Sequence, residues 1–136
     1  MYFFDTYAII EVLKGNPNYA HYEDFIFIVT HLNIGELYLY FLRANDRAEA
    51  EKRLNEISFN ILPLTTKLMK SAVEFKHVHR AKKLSWADCI GYATAQQFSV
   101  KFLTGDSQFK GLPSVEFVKS VFHRSLTGGK LGSLHD

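Results

Sequence analysis

The chain has 136 residues, of which 47% are hydrophobic and 22% charged, and its net charge at pH 7 is +2. This composition is typical of a single globular domain rather than a disordered chain, and the small net charge does not by itself indicate nucleic-acid binding. No segment approaches the ~20 consecutive apolar residues of a membrane helix, so no membrane partner is expected. No secretory leader is recognisable, and the single cysteine, Cys89, cannot form an internal disulfide. We therefore expect a cytoplasmic protein with Cys89 in its core.

The first half of the sequence alternates strand-like and helix-like segments. Residues 1–4 form a continuous apolar run, which predicts a strand buried on both faces of a parallel sheet and ending at Asp5. Asn33 is the predicted N-cap of a later helix, which places Glu36 in the first turn of that helix. The other elements predicted here are a helix over residues 8–13, a turn at 15–18, a strand over 25–30 and an exposed helix over 46–57.

The second half continues the alternation. A strand is predicted over residues 59–62, followed by a helix over 65–83 with a basic end. The inner side of that helix is expected to carry Leu68, Met69, Ala72, Val73, Phe75 and Val78. Ser85 fits the cap of the most apolar helix, and strands over 100–104 and 115–118 follow. We predict one domain over residues 1–122 and a flexible C-terminal tail over 123–136.

This alternation predicts an α/β fold with three layers, in which helices cover both faces of a central parallel sheet. In such sheets, ligands lie beyond the carboxyl ends of the strands. The glycines form neither a dinucleotide-binding motif nor a P-loop, so the acidic residues are the main candidates for chemistry.

Four carboxylates are expected at this edge of the sheet. Asp5 and Asp106 end predicted strands, while Glu36 and Asp88 lie where helices begin. Clustered carboxylates repel one another unless a cation neutralises them, and Mg²⁺ or Mn²⁺ prefers such oxygen ligands. Each acid is equally well placed to cap a helix or turn, which by itself stabilises a structure by about 0.5–2 kcal/mol. The spacing leaves both interpretations open.

Four segments resemble, in order, the motifs of PIN-domain proteins, especially VapC-type toxins. They are residues 5–10 with 13–17, then 36–37, 88–95 and 103–109. The resemblance covers about residues 1–120. It implies a metal-dependent ribonuclease fold whose parallel sheet has the strand order 3-2-1-4-5. It also implies that Asp5, Glu36, Asp88 and Asp106 bind Mg²⁺ or Mn²⁺, and that Thr104 supports this catalytic site through its hydroxyl.

The function implied by this resemblance is an endoribonuclease that hydrolyses RNA phosphodiester bonds. Such a protein would be the toxin of a toxin–antitoxin pair, would bind a small antitoxin protein and would form a homodimer. Two residues depart from the family pattern. Tyr7 replaces a small Ser or Asn and is expected to crowd the metal pocket, and Gly91 replaces Ala at a cost in helix stability. Tyr7 favours the alternative of a catalytically weak PIN-fold module that binds RNA or protein.

Other residues allow two interpretations each. The basic residues Arg80, Lys82 and Lys83 suit either an RNA backbone or the negative end of a helix dipole. Trp86 suits either base stacking or packing. The aromatic residues Tyr38, Tyr40 and Phe41 belong either to a partner surface or to the core. His77 and His79 are either metal ligands or solvated side chains, and we favour solvated side chains.

Overall fold

The computed structural model describes residues 1–120, and its centre is a five-stranded sheet of order β3-β2-β1-β4-β5. All four strand pairs are parallel. The predicted α/β class and strand order are therefore confirmed. The strands are β1 (Tyr2–Phe4), β2 (Phe27–Val29), β3 (Phe59–Ile61), β4 (Lys101–Thr104) and β5 (Val115–Phe117).

Five α-helices connect these strands within the described residues. They are α1 (Thr6–Leu13), α2 (His31–Ala44), α3 (Arg47–Asn55), α4 (Thr66–Val78) and α5 (Trp86–Gln97). Short 3-10 helices cover Pro17–Tyr22 and Ser107–Phe109. No helix in this part of the chain is long and apolar enough to cross a membrane. The predicted tail over residues 123–136 lies outside the described residues.

Helix α2 begins earlier than predicted. Thr30, not Asn33, is its N-cap, and Asn33 lies at the third helical position. The Asn33 side-chain oxygen accepts hydrogen bonds from the Thr30 backbone N–H at 3.0 Å and from the Thr30 hydroxyl at 3.2 Å. Glu36 therefore lies in the second turn of the helix, where it is not available to cap the N-terminus.

Helix α4 ends earlier than predicted, at Val78 instead of residue 83. His79 leaves the helical conformation, and the Lys82 N–H then bonds to the His79 carbonyl in a local turn at 2.8 Å. The predicted inner side was correct for Leu68 and Ala72, which are buried, but wrong for Val73 and Val78, which are 41% and 70% exposed. The apolar stripe of α4 is narrower than the sequence pattern suggests.

Two core clusters lie on opposite faces of the sheet. Successive residues of a strand point to opposite faces, so Phe4 and Leu103 join the first cluster while Phe3 and Phe102 join the second. Helices α1, α2 and α3 supply the first cluster, and α4 and α5 supply the second. Cys89 is fully buried in the second cluster, as predicted. This is the three-layer arrangement expected from the sequence.

Gly91 of α5 lies directly against the sheet. A Cβ atom at this position would lie 2.9 Å from Cε1 of Phe3 and 3.0 Å from Cε1 of Phe102. Both contacts are shorter than packed carbon atoms tolerate, and both rings are fully buried. The absence of a side chain at residue 91 thus allows α5 to approach β1 and β4 closely.

Gly91→Ala should lower the free energy of unfolding by about 1 kcal/mol, because overpacking outweighs the gain in helix propensity. Gly35→Ala is the matched control, since a Cβ at this exposed position of α2 meets nothing within 4 Å. The control should raise the free energy of unfolding by about 0.5–1 kcal/mol. Urea unfolding of both variants measures the difference, and a Gly91→Ala protein as stable as Gly35→Ala would contradict this account.

Candidate active site

Asp5 lies at the carboxyl end of β1 and is 2% exposed. Its backbone N–H continues the sheet by donating to the Leu103 carbonyl at 3.1 Å. One carboxylate oxygen, Oδ1, accepts from the Ala8 backbone N–H at 2.8 Å and so caps helix α1. The other oxygen, Oδ2, accepts a hydrogen bond from the Thr104 hydroxyl. The capping interpretation is therefore correct for Oδ1 of Asp5, while Oδ2 faces the end of the neighbouring strand β4.

Thr104 joins Asp5 to Asp106. It is the last residue of β4 and is fully buried. Its hydroxyl donates to Asp5 and accepts from the Asp106 backbone N–H at 3.0 Å. Asp106 is half-buried, and its Oδ1 accepts from the Gln108 backbone N–H at 2.9 Å. Two of the four predicted acids are thus brought together around one hydroxyl.

Glu36 is connected to the same strand end through Thr6. The Thr6 hydroxyl donates to Glu36 Oε1 at 2.5 Å and accepts from Asn33 Nδ2 at 3.2 Å. Thr6 directly follows Asp5 in the chain, so this contact brings α2 to the end of β1. The sequence predicted Asn33 only as a helix cap and gave no role to the Thr6 hydroxyl. A hydroxyl residue next to the first acid was the available signal for Thr6.

Asp88 is 3% exposed and lies in the first turn of α5. Its backbone N–H donates to the Ser85 hydroxyl at 3.0 Å, and its Oδ2 accepts from the Ser85 N–H at 3.4 Å. This is a capping box, so the capping interpretation is correct for Asp88 as well. Its carboxylate is nonetheless buried, which is uncommon for an acid that serves only as a helix cap.

The donor set suits a cation that retains water. Within residues 1–120, no group of three or more His, Cys, Asp or Glu side chains is arranged so that it could hold a metal ion. Mg²⁺, however, is commonly bound by one or two carboxylates with water as its other ligands. Asp5 and Asp106 supply carboxylates of this kind from the ends of the neighbouring strands β1 and β4. The complete set of four metal-binding acids stays a prediction.

A third buried carboxylate, Glu11, was not predicted from the sequence to have a role. Glu11 is 1% exposed, and its Oε2 accepts from Asn16 Nδ2 and from Ser120 Oγ, the latter at 2.8 Å. Its Oε1 has no hydrogen-bond partner within residues 1–120. Burial raises the pKa of the neighbouring Tyr19 phenol above its ordinary value, and the negative charges of Asp5 and Glu11 raise it further. Asp5 and Glu11 thus both act on the Tyr19 phenol.

Comparison with known proteins decides the family. The sequence matches the family profile described as PIN domain over residues 2–114. This chain belongs to the PIN-domain family. Members of this family are nucleases and generally depend on divalent metal ions. No match was found among curated proteins.

Three solved structures resemble this PIN domain. A toxin–antitoxin complex from Klebsiella pneumoniae has a TM-score of 0.67 and 20% identity, covering 85% of this chain and 96% of its own. VapBC2 from Rickettsia felis, bound to a DNA fragment from its promoter, has a TM-score of 0.66 and 13% identity, with coverages of 87% and 98%. FitAcB from Neisseria gonorrhoeae has a TM-score of 0.58 and 22% identity, with coverages of 79% and 88%. At these identities the likeness establishes the fold.

Several residues with two interpretations can now be located in the PIN domain. Phe41 is buried in the first core cluster, and Tyr38 and Tyr40 pack against it half-buried. Trp86 is 48% exposed, with Lys76 Nζ 5.1 Å from its ring centroid, so it is not a core residue. Tyr7 is half-buried against the first core cluster. Whether its ring crowds a metal pocket stays a prediction.

Thr104→Val tests the hydroxyl that joins the two acids of this PIN domain. The change removes the acceptor of the Asp106 N–H and the donor to Asp5, which should lower the free energy of unfolding by about 1–3 kcal/mol. Thr94→Val is the matched control, because Thr94 is equally buried but only bonds back to Ile90 of its own helix. That control should change stability by less than about 0.5 kcal/mol. Equal losses in urea unfolding would contradict the role given to Thr104.

Cys89 of this PIN domain should resist alkylation. Burial raises the pKa of its thiol to about 11, the nearby Lys76 charge lowers it, and the Asp88 charge raises it. The neutral thiol therefore stabilises the fold fully below pH 9.0, and this contribution is lost as the pH rises toward about 11. Iodoacetamide at pH 8 should label the urea-unfolded chain readily and the folded protein very slowly. Rapid labelling of the folded protein would contradict the buried position of the thiol.

Proposed function

We propose that this PIN domain is a metal-dependent endoribonuclease that hydrolyses RNA phosphodiester bonds. The observation that carries the proposal is the pair of acids, Asp5 and Asp106, held around the Thr104 hydroxyl at the carboxyl edge of β1 and β4. The buried Thr104 hydroxyl orients the Asp5 carboxylate by donating to it, and it fixes the backbone of Asp106 by accepting from its N–H. Family membership and the position of these acids support the same site.

The proposed site uses oxygen atoms of the four acids Asp5, Glu36, Asp88 and Asp106. Thr104 orients Asp5, Thr6 orients Glu36, and Ser85 fixes Asp88 at the start of α5. Asp106 is more exposed than Asp5 and Asp88, which suits contact with incoming substrate. These oxygen atoms would hold a Mg²⁺ or Mn²⁺, which would supply an activated water and would neutralise charge on the phosphate.

The proposed partners follow from the similar structures. The Klebsiella pneumoniae structure is a toxin–antitoxin complex, and this supports a small antitoxin protein that holds the present chain inactive. The toxin role, the RNA substrate and a homodimer belong to the same proposal. The cytoplasmic location stays a prediction from the sequence.

The sharpest test of the site uses Asp106 and Glu36 instead of Asp5. Both Asp5 oxygens accept hydrogen bonds, so an asparagine at this position has one acceptor too few and would disturb the fold. Asp106→Asn retains an oxygen for the Gln108 N–H, and Glu36→Gln retains one for the Thr6 hydroxyl. Each change removes a negative charge while keeping its main structural contact.

Wild-type protein should cleave a mixed-sequence RNA with Mn²⁺ or Mg²⁺ and lose this activity in EDTA. Asp106→Asn and Glu36→Gln should reduce the cleavage rate by more than about 100-fold, since even outer-shell partners of metal sites change activity by about 10–100-fold. Asp24→Asn, an exposed acid remote from the site, is the control and should cleave like wild type. If all four folded proteins are equally inert, the proposal fails and a PIN-fold binding module becomes the better explanation.

A further inference from the structure

The side chain of Gln108 joins the turn after α4 to the loop that carries Asp106. Its Oε1 accepts from the Lys83 backbone N–H at 2.9 Å, and its Nε2 donates to the Lys83 carbonyl at 3.2 Å. One carboxamide thus pairs with both peptide groups of a residue that lies 25 positions away in the sequence. This geometry resembles the pairing of neighbouring strands and requires both a donor and an acceptor on the same side chain.

Two further contacts fix the same turn. Lys82 Nζ donates to the Gln108 carbonyl at 2.7 Å, and Lys76 Nζ donates to the Leu84 carbonyl. Gln108 also contacts Asp106 directly, through its backbone N–H at 2.9 Å and its Nε2 at 3.5 Å. Residues 80–83, which we call the basic segment, are therefore held beside one of the proposed catalytic acids.

The charges of the basic segment are available to a ligand. Arg80 and Lys83 are exposed and Lys82 is half-buried. None of these three cations forms an ion pair among the described residues. Their positive charge is therefore not used to neutralise acids of the domain itself, although the basic segment adjoins an acidic site.

The helix dipole does not account for this arrangement. Arg80 Nη1 donates to the His77 carbonyl at 2.8 Å, so Arg80 does interact with the end of α4. Helix α4 ends at Val78, however, and Lys82 and Lys83 lie beyond the last turn, where the dipole effect has faded. Of the two interpretations drawn from the sequence, the dipole explains Arg80 alone.

We propose that the basic segment binds the phosphate backbone of single-stranded RNA that flanks the scissile bond, and that Gln108 is the positioning residue that holds this segment beside Asp106. The inference rests on the proposed ribonuclease function and adds the residues that align the substrate. Cations next to an acidic, metal-dependent site would attract the RNA backbone that the acids alone repel.

Lys83→Gln is the cleanest test of the charge. Gln108 contacts only the backbone of Lys83, so this substitution removes a positive charge and leaves the contact with Gln108 in place. The control is Lys67→Gln. Lys67 is exposed and lies at the start of α4, roughly 16 Å from the end of that helix. Both variants of the full chain are compared by binding of a fluorescent single-stranded RNA in EDTA, which prevents cleavage.

Lys83→Gln should weaken RNA binding by about fivefold at 0.1 M salt and reduce the slope of log K against log salt by about 0.7, as expected for one lost phosphate contact. Lys67→Gln should bind RNA like wild type. If Lys83→Gln and Arg80→Gln both bind RNA like wild type, the inference is wrong. An acidic protein partner for the basic segment would then be the better explanation.

Gln108→Met tests the positioning role, because methionine has a similar length but forms neither hydrogen bond with Lys83. All charges remain in this variant, so RNA binding would be unchanged if the basic segment acted through its charge alone. We expect KM for RNA to rise severalfold while kcat stays within about twofold, since Asp106 keeps its contact with the residue 108 backbone. A fall in kcat with KM unchanged would overturn the positioning role. If Gln108→Met fails to fold, the Lys83→Gln result still decides the inference.

Binding in EDTA also separates this inference from the proposed function. Weaker binding by Lys83→Gln, in a protein that never cleaves RNA with any metal, would support the basic segment and overturn the ribonuclease function. Normal binding by Lys83→Gln and Arg80→Gln, together with metal-dependent cleavage that Asp106→Asn abolishes, would overturn the basic segment and leave the ribonuclease function standing.

Discussion

The parallel pairing of β1 with β4 is the constraint on which the site depends. Phe4 pairs with Leu103, so the next residues of the two strands, Asp5 and Thr104, emerge at the same level of the sheet. The Asp5 N–H then bonds to the Leu103 carbonyl, and the Thr104 hydroxyl reaches the Asp5 carboxylate. The backbone pairing of the two strands is thus sufficient to bring together two residues that lie 99 positions apart in the sequence.

Charge is segregated around this meeting point. Asp5, Asp88 and Glu11 are buried carboxylates, and one oxygen of Glu11 has no hydrogen-bond partner in the described part of the chain. Burying charge without full compensation costs free energy, so the core clusters on both faces of the sheet have to offset it. Basic side chains occur instead in an exposed turn held in place through Gln108. Around the candidate site, carboxylates are thus buried and basic side chains lie at the rim.

The sequence was most informative where one physical effect dominated. The apolar run of residues 1–4 required burial on both faces, and β1 lies at the centre of the sheet with Phe3 and Phe4 in different clusters. The strand order, in contrast, came from the resemblance to PIN-domain proteins. Local patterns do not specify which parallel strands become neighbours, because the crossover helices allow several orders.

Helix boundaries were less predictable because several residues could serve as a cap or continue a helix. Thr30 and Asn33 both suit an N-cap, and only the tertiary position of β2 makes Thr30 the one used. After Val78, good helix formers continue to residue 83, yet the chain turns so that it can pair with Gln108. Contacts between residues 25 positions apart leave no signal in local periodicity. For the same reason, Gln108 could not be assigned a role from the sequence alone.

Both edge strands of the sheet, β3 and β5, are three residues long. Pro63 limits the extension of β3 at its end, and Ser114, with a φ of 61°, limits the extension of β5 at its start. Another polypeptide that aligned itself along either edge would gain few backbone hydrogen bonds. The sheet of residues 1–120 is thus poorly suited to growth by strand addition, and this protects crowded copies of the domain from aggregating edge to edge.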